Sequence, residues 1–325
     1  MSGLAVFAHF DPQGEVAPHV TRHLQELRRV VDQLVIVTTA ELSDEARDVL
    51  RRHGDLIERT NEGYDFYSWK VGLDSVPEWH RVDHLLLAND SVVGPLVSYQ
   101  TIMRRMAERG AAFWGVTRSM EVEPHLQSFV LGFGRDALRS PLLRAFWRSM
   151  VPLNRRAEVI AQYERGLSRL LNAAGLIGEP YFEPTWWDER VGRLRRARLT
   201  AVRNLDERQR DLLLAGAGRI TPMRTLREAR RELRRGMLIK ETRQYLRRDA
   251  FYNPMISLWD RALDGRLPFV KIETLRDDPY RLGADRMLAA CERAYPEQFA
   301  GVREHLRRTE ADYDRLGRSR HRAGV

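Results

Sequence analysis

The sequence predicts an α/β fold: a mostly parallel sheet covered by helices on both faces, followed by a helical C-terminal region. Three observations carry this. Short apolar, β-branched runs alternate with stretches of helical spacing from Leu4 to Val116. Polar clusters stand at the ends of the third and fourth runs, where an open α/β sheet binds its ligands. From Arg190 onward helical patterns dominate, broken at Gly216-Ala217-Gly218, Pro222, Asn253-Pro254 and Pro268.

Leu4 to Phe10 reads as a first strand and Val16 to Val30 as a helix. Gln33 to Thr39 is a β-branched run of the kind a buried strand requires. Ser43 caps a helix running through Leu50, with Asp44 and Glu45 in its first turn. Asp55 to Arg59 is a third strand, Tyr64 to Leu73 a helix, and His84 to Ala88 a fourth strand. Ser98 to Arg109 is helical and Ala111 to Val116 is a fifth strand. Leu126 to Phe133 reads as one further strand, then Pro141 to Met150 and Arg156 to Ala174 as helices. Tyr181 to Trp187 is an aromatic loop or strand, suited to line a groove or to form a seam.

The chain has 325 residues, 43% hydrophobic and 30% charged, the profile of a folded globular protein rather than a disordered one. Its one cysteine, Cys291, cannot form an internal disulfide, and no Cys/His spacing suits zinc. No apolar run approaches the ~18 residues of a membrane span, so a cytoplasmic protein is expected. The net charge of +9 is unevenly placed. Arg190 to Arg248 holds 19 Lys+Arg and 6 Asp+Glu, a balance of +13, which leaves the rest at −4. Such a segment suits a phosphate-rich partner or an anionic membrane face, although any single Arg there reads equally as a solvated helix face. It lacks a helix-turn-helix, an RNP motif, a zinc site and interleaved aromatics, so no specific nucleic acid is expected.

Asn61-Glu62-Gly63-Tyr64-Asp65 follows the third strand, and Asn89-Asp90-Ser91 with Gly94-Pro95 follows the fourth. Either cluster alone could be an Asx-turn. Asp90 could instead cap the helix after Pro95. Two such clusters at successive strand ends point to one crevice.

These residues carry a resemblance. Arg59 to Phe66, Trp69-Lys70 and Leu86 to Pro95 resemble the hallmark stretch of the rhamnan synthesis protein F family, bacterial glycosyltransferases of surface polysaccharide assembly. Phe113 to Thr117, His125 to Phe129, Tyr163-Glu164 and Leu267 to Glu273 also fit. The stretch is similar, too, to the large inverting GT-A glycosyltransferase class. The resemblance implies a GT-A-like nucleotide-sugar-binding core over 1–188, with a basic, mainly helical region over 189–325 packing on it. It implies donor contacts from Asn61, Gly63, Tyr64, Asn89, Asp90 and Ser91. Where that class carries an Asp-x-Asp holding a divalent metal, this chain keeps only Asp90, so Mg²⁺ or Mn²⁺ at Asp90 is expected to be held more weakly. Alternatively Arg or Lys neutralises the leaving group. Inverting transfer needs a general base; Glu164 is the first candidate and Asp65 the second, with His125 and Gln127 on the acceptor side. Glu164 beside Arg165 and Arg169 also reads as a surface ion pair.

The implied partners are a nucleotide-sugar donor, dTDP-L-rhamnose among the possibilities, and a glycan or polyprenyl-linked acceptor. Arg190 to Arg248 would dock the enzyme at the inner membrane face. The competing expectations are a non-catalytic scaffold that retains the fold and, behind it, a basic nucleic-acid-binding protein.

Overall fold

The computed structural model describes residues 2–120, 123–203 and 252–316. The chain opens with β1 (Gly3–His9), α1 (Pro18–Arg28), β2 (Gln33–Thr38), α2 (Asp44–Arg51), β3 (Asp55–Glu58), α3 (Tyr64–Asp74) and β4 (His84–Asn89). It continues through β5 (Val92–Val93), α4 (Tyr99–Glu108), β6 (Phe113–Ser119), β7 (His125–Leu126), β8 (Val130–Gly134), α5 (Arg135–Arg139) and α6 (Pro141–Arg148). Next come α7 (Arg156–Val159), α8 (Arg165–Ala173), β9 (Gly178–Phe182) and α9 (Trp186–Arg203). After 252 follow α10 (Pro254–Ser257), β10 (Val270–Lys271), α11 (Ile272–Arg276), α12 (Ala284–Ala294), α13 (Pro296–Phe299) and α14 (Val302–Arg315).

The main sheet has the order β3-β2-β1-β4-β8-β6-β7, with β9 also paired to β6. The pairs β3–β2, β2–β1 and β1–β4 are parallel, and β9 runs parallel to β6. β8 is antiparallel to both β4 and β6. This is the mixed, mostly parallel α/β architecture that the alternation predicts. The strands read as continuous apolar runs because both faces are covered. In β1, Ala5 and Phe7 enter one apolar cluster while Leu4, Val6 and Ala8 enter the other. In β4, Leu86 and Ala88 divide from Leu85 and Leu87 in the same way. The first cluster takes in α1 and α4, and also Phe269, Met287, Cys291 and Phe299 from the C-terminal part. The second takes in α3, α5, α6 and α8. The C-terminal residues thus pack on the same core as the first helix, and β10 pairs with β5.

Local signals behave as the sequence implies at most elements. Ser43 and Ser98 each accept a hydrogen bond from a first-turn amide of α2 and α4. Ser98, not Asp90, therefore caps the helix after Pro95. Two readings are corrected. The single strand expected over Leu126 to Phe133 is divided into β7 and β8 by a turn at 127–129. Gln127 N donates to Thr117 O, and the Thr117 hydroxyl donates to Gln127 Oε1, so the returning strand bulges there before it rejoins β6. The long helix expected over Arg156 to Ala174 is interrupted by a π-helical turn at Ile160–Glu164.

Among the described residues, no helix is long and apolar enough to cross a membrane.

Candidate functional site

The C-terminal ends of β1, β3 and β4 open on a cleft of about 510 Å³. Asn61, Tyr64 and Asp65 line it from the β3–α3 turn, and Asp90 and Ser91 from the end of β4. The two polar clusters therefore converge, as their position at successive strand ends implies. Asn89 and Gly63 stand behind them and set the geometry. Asn89 Nδ2 donates to Asp65 Oδ2 at 2.7 Å, while its Oδ1 accepts from both Ser91 N and Ser91 Oγ. Asp90 Oδ2 accepts from Phe10 N at 2.6 Å, tying β4 to the exit of β1.

Gly63 and Tyr64 both have positive φ, at 69° and 55°. This tight turn aims Tyr64 and Asp65 at the cleft at the start of α3. A Cβ on Gly63 would lie 2.5 Å from Tyr67 Cβ and 3.0 Å from Pro152 Cα. Gly63→Ala combines left-handed strain of about 1–2 kcal/mol with these clashes. It is expected to lower the melting temperature and to displace Asp65; unchanged melting would show that the turn tolerates a side chain. Phe66 and Trp69, one turn on, are buried, and Trp69 Nε1 donates to Ala88 O.

Much of the wall lies outside these clusters. His9, Asp11 and His19 come from the end of β1 and the start of α1. Arg156 comes from α7; Glu273, Arg276 and Asp277 come from α11 and its end; His305 and Tyr313 come from α14. Asp11 accepts from Arg308 at 3.0 Å and lies 3.7 Å from His305. His19 Nε2 contacts Asp90 O at 3.3 Å. Burial lowers His9 to about 4, against the pull of Asp11. Burial, reinforced by neighbouring His305, lowers His19 to about 3, and burial with Arg308 lowers His305 to about 4. All three imidazoles are neutral at pH 7, suited to exchange hydrogen bonds with hydroxyls rather than to bind anions. His9 through Asp11 could have been found by applying the strand-end rule to the first strand. Nothing local marks Arg276, His305 or Tyr313, which reach the cleft through tertiary packing.

Glu164 and His125 do not line this cleft; they pair with each other. His125 Nε2 lies 3.1 Å from Glu164 Oε1, Ser128 Oγ donates to Glu164 Oε2, and His125 Nδ1 bonds Glu123 O. Glu123 in turn faces Arg165 and Arg169. Gln127 is buried on Thr117. Burial works against charge on both members of the pair, yet their mutual hydrogen bond wins: His125 is raised above 6.5 and Glu164 lowered below 4.5. Glu164 gives stability that is present above pH 4.5 and lost as pH falls through its lowered value. His125 gives stability that is present below pH 6.5 and lost as pH rises through its raised value. The stability gap between wild type and His125→Gln/Glu164→Gln is therefore expected to be widest between pH 4.5 and 6.5. Melting curves across pH test it; a pH-independent gap would remove the ion pair as its cause.

Among the described residues, no group of three or more His, Cys, Asp or Glu side chains is placed to hold a metal ion. Trp186 at the head of α9 is 73% exposed, while Trp187 packs partly on the core. The basic stretch Arg190 to Arg248 lies outside the described residues beyond Arg203.

The sequence model of a family described as rhamnan synthesis protein F matches residues 34–197, half of the chain. A protein of Vibrio anguillarum (strain ATCC 68554 / 775) named virulence protein VirA is 34% identical over 125 residues, 37% of this chain and 40% of that one. An uncharacterized protein, y4gN, of Sinorhizobium fredii (strain NBRC 101917 / NGR234) is 26% identical over 180 residues, 53% of this chain and 46% of that one. The chain thus spans less than half the length of these curated relatives. Solved structures overlap it weakly. A nucleotidyl transferase from Methanothermobacter is 15% identical, with a TM-score of 0.34 over 55% of this chain and 87% of that one. Glucosyl-3-phosphoglycerate synthase from Mycobacterium tuberculosis, with Mn²⁺, UDP and glucosyl-3-phosphoglycerate, is 10% identical, with a TM-score of 0.32 over 54% and 81%. Scores this low decide nothing about this chain's reaction.

Proposed function

From the chain's membership of the rhamnan synthesis protein F family, we propose that it is a nucleotide-sugar-dependent glycosyltransferase of bacterial surface-polysaccharide synthesis. The observation that carries the reading is the convergence of Asn61, Tyr64, Asp65, Asp90 and Ser91 on one polar cleft at the strand ends. Carboxylates and neutral imidazoles together suit the many hydroxyls of a sugar, and the cleft's volume suits a small organic ligand.

In this reading Asp65 and Asp90 face the donor sugar and Tyr64 offers a ring to it. The transfer is inverting: the acceptor oxygen attacks the anomeric carbon as the diphosphate leaves, and a carboxylate takes the acceptor proton. Asp65 lines the cleft whereas Glu164 is held by His125 and Ser128, which favours Asp65 as the base. Glu164 then positions Ser128 and the turn at 127–129, where Phe129 O accepts from Asn89 N. An acceptor carried on a polyprenyl diphosphate would bring the enzyme to an anionic surface, with Arg190 to Arg248 as its docking segment; failure to sediment with anionic liposomes at low salt would remove that role.

The test is a donor screen. Purified protein is offered a panel of nucleotide sugars, dTDP-L-rhamnose included, and release of nucleoside diphosphate is followed. Release from at least one donor is expected. No release from any donor with any acceptor fraction, combined with no thermal stabilisation by nucleoside diphosphates, would favour the scaffold reading.

A further inference from the structure

We propose that the cleft neutralises the diphosphate of its ligand with two guanidinium groups, Arg156 and Arg276, and needs no divalent cation. This rests on the nucleotide-sugar reading above and specifies how that site handles charge.

The first support is the state of the oxygen donors. At the place where a paired-carboxylate motif would present two acids, the triplet closes on itself. Asn89 Oδ1 receives Ser91 N at 3.1 Å and Ser91 Oγ at 2.6 Å, and Asn89 Nδ2 is spent on Asp65. The one acid of the triplet, Asp90, is fixed by Phe10 N. Mg²⁺ requires near-octahedral oxygen geometry at about 2.0–2.1 Å. Asn89 Oδ1, which already accepts twice, would have to break the bonds that shape the turn to join such a shell, which leaves Asp90 as the one carboxylate the triplet can offer. Of the other acids of the wall, Asp11 faces Arg308, Glu273 faces Arg156 and Lys271, and Asp277 faces Arg276, while Asp65 accepts from Asn89.

The second support is the cations themselves. Arg276 is held in a fixed plane. Asp277 engages its Nε and one terminal nitrogen at 2.7 and 2.8 Å, and its guanidinium carbon lies 3.9 Å from the centre of the Tyr313 ring. Burial works against its charge, but Asp277 raises its pKa above the ordinary arginine value. Arg156, at the first residue of α7, is 66% exposed and only loosely paired, 3.6 Å from Glu273. A planar guanidinium matches the spacing of phosphate oxygens and is more weakly hydrated than an ammonium. When the bond between the anomeric carbon and the diphosphate oxygen breaks, its electron pair leaves on that oxygen. Fixed guanidinium groups stabilise the charge without reorganising. The new bond forms to the acceptor oxygen, whose proton passes to a carboxylate, so the step balances without another reactant.

The experiment is calorimetric titration of UDP, dTDP and GDP into the full chain, first in excess EDTA and then with MgCl₂ or MnCl₂. At least one nucleotide is expected to bind with a Kd unchanged within about twofold between the two conditions, and binding should weaken with added salt. Arg156→Gln and Arg276→Gln should each weaken it by about tenfold in either condition. Arg156→Gln lies at an exposed position and should melt like wild type, so its loss of binding cannot be a loss of fold. The EDTA titration needs no variant at all. Binding that appears only with Mg²⁺ or Mn²⁺ overturns the proposal while leaving the nucleotide-sugar reading intact. Metal-free binding that both variants retain overturns the role of the arginines. Absence of binding in every condition sinks the nucleotide-sugar reading, and the proposal with it.

Discussion

Asp188→Ala is expected to destabilise the fold by about 3–5 kcal/mol, the cost of leaving buried cations without their acid. Asp188 is 1% exposed and stands in the first turn of α9. Arg261 Nε donates to it at 2.6 Å and Arg266 at 2.8 Å, while Thr185 donates through both its amide and its hydroxyl. One carboxylate thus fastens the head of α9 to residues more than 70 positions further along the chain. Arg261 is itself buried, so it cannot recover water when the acid is removed. Burial alone would raise the Asp188 pKa, but the two arginines and Thr185 bring it down to about 2. Its contribution is therefore fully present above the unfolded value of 3.8 and is lost as pH falls towards 2. Urea unfolding at pH 7 measures the loss, and the same comparison at pH 3 should give a smaller one. A loss below about 1 kcal/mol at pH 7 would mean that the network adds little beyond its own desolvation.

The second large effect is on turnover. Asp90→Ala is expected to reduce nucleoside diphosphate release by about 10²-fold or more, in the range seen when a preorganised charge partner is removed. Two roles overlap at this residue: it lines the cleft and it accepts the Phe10 amide. Alanine removes both, and the abandoned amide should cost about 1–3 kcal/mol of stability. Asp90→Asn separates them. The asparagine oxygen can still accept from Phe10 N, so melting should stay near wild type while release remains low. Wild-type turnover in Asp90→Asn would confine Asp90 to a structural tie between β1 and β4.

Much of the fold was legible because strand and helix signals agreed with burial. The β-branched run from Gln33 and the apolar run from His84 became β2 and β4, and Ser43 capped where the pattern placed it. The misses have local causes. Around Gln127 the chain is apolar enough to read as one strand, and only the pairing of Thr117 with Gln127 shows that it bulges. Between Arg156 and Ala174 the 3.6-residue spacing is continuous, and a π turn leaves little trace in such a pattern. Half of the cleft could be located from the polar residues after β3 and β4. Glu164 shows the limit: its residue type suits a base, but only the folded chain brings His125 and Ser128 onto it. Arg276, His305 and Tyr313 carry no local mark, since their place depends on a core shared with α1.

That shared core bears on how the protein comes into being. The wall of the cleft draws on residues from His9 to Tyr313, so a ribosome must deliver nearly the whole chain before the cleft exists. Contacts so distant in sequence form late and slowly, and until they form the apolar face that later receives Phe269 and Phe299 is open to other chains. A piece ending near residue 188 would present the strand ends without their far wall. Expression yield and tolerance of C-terminal truncation should therefore track one another in this protein.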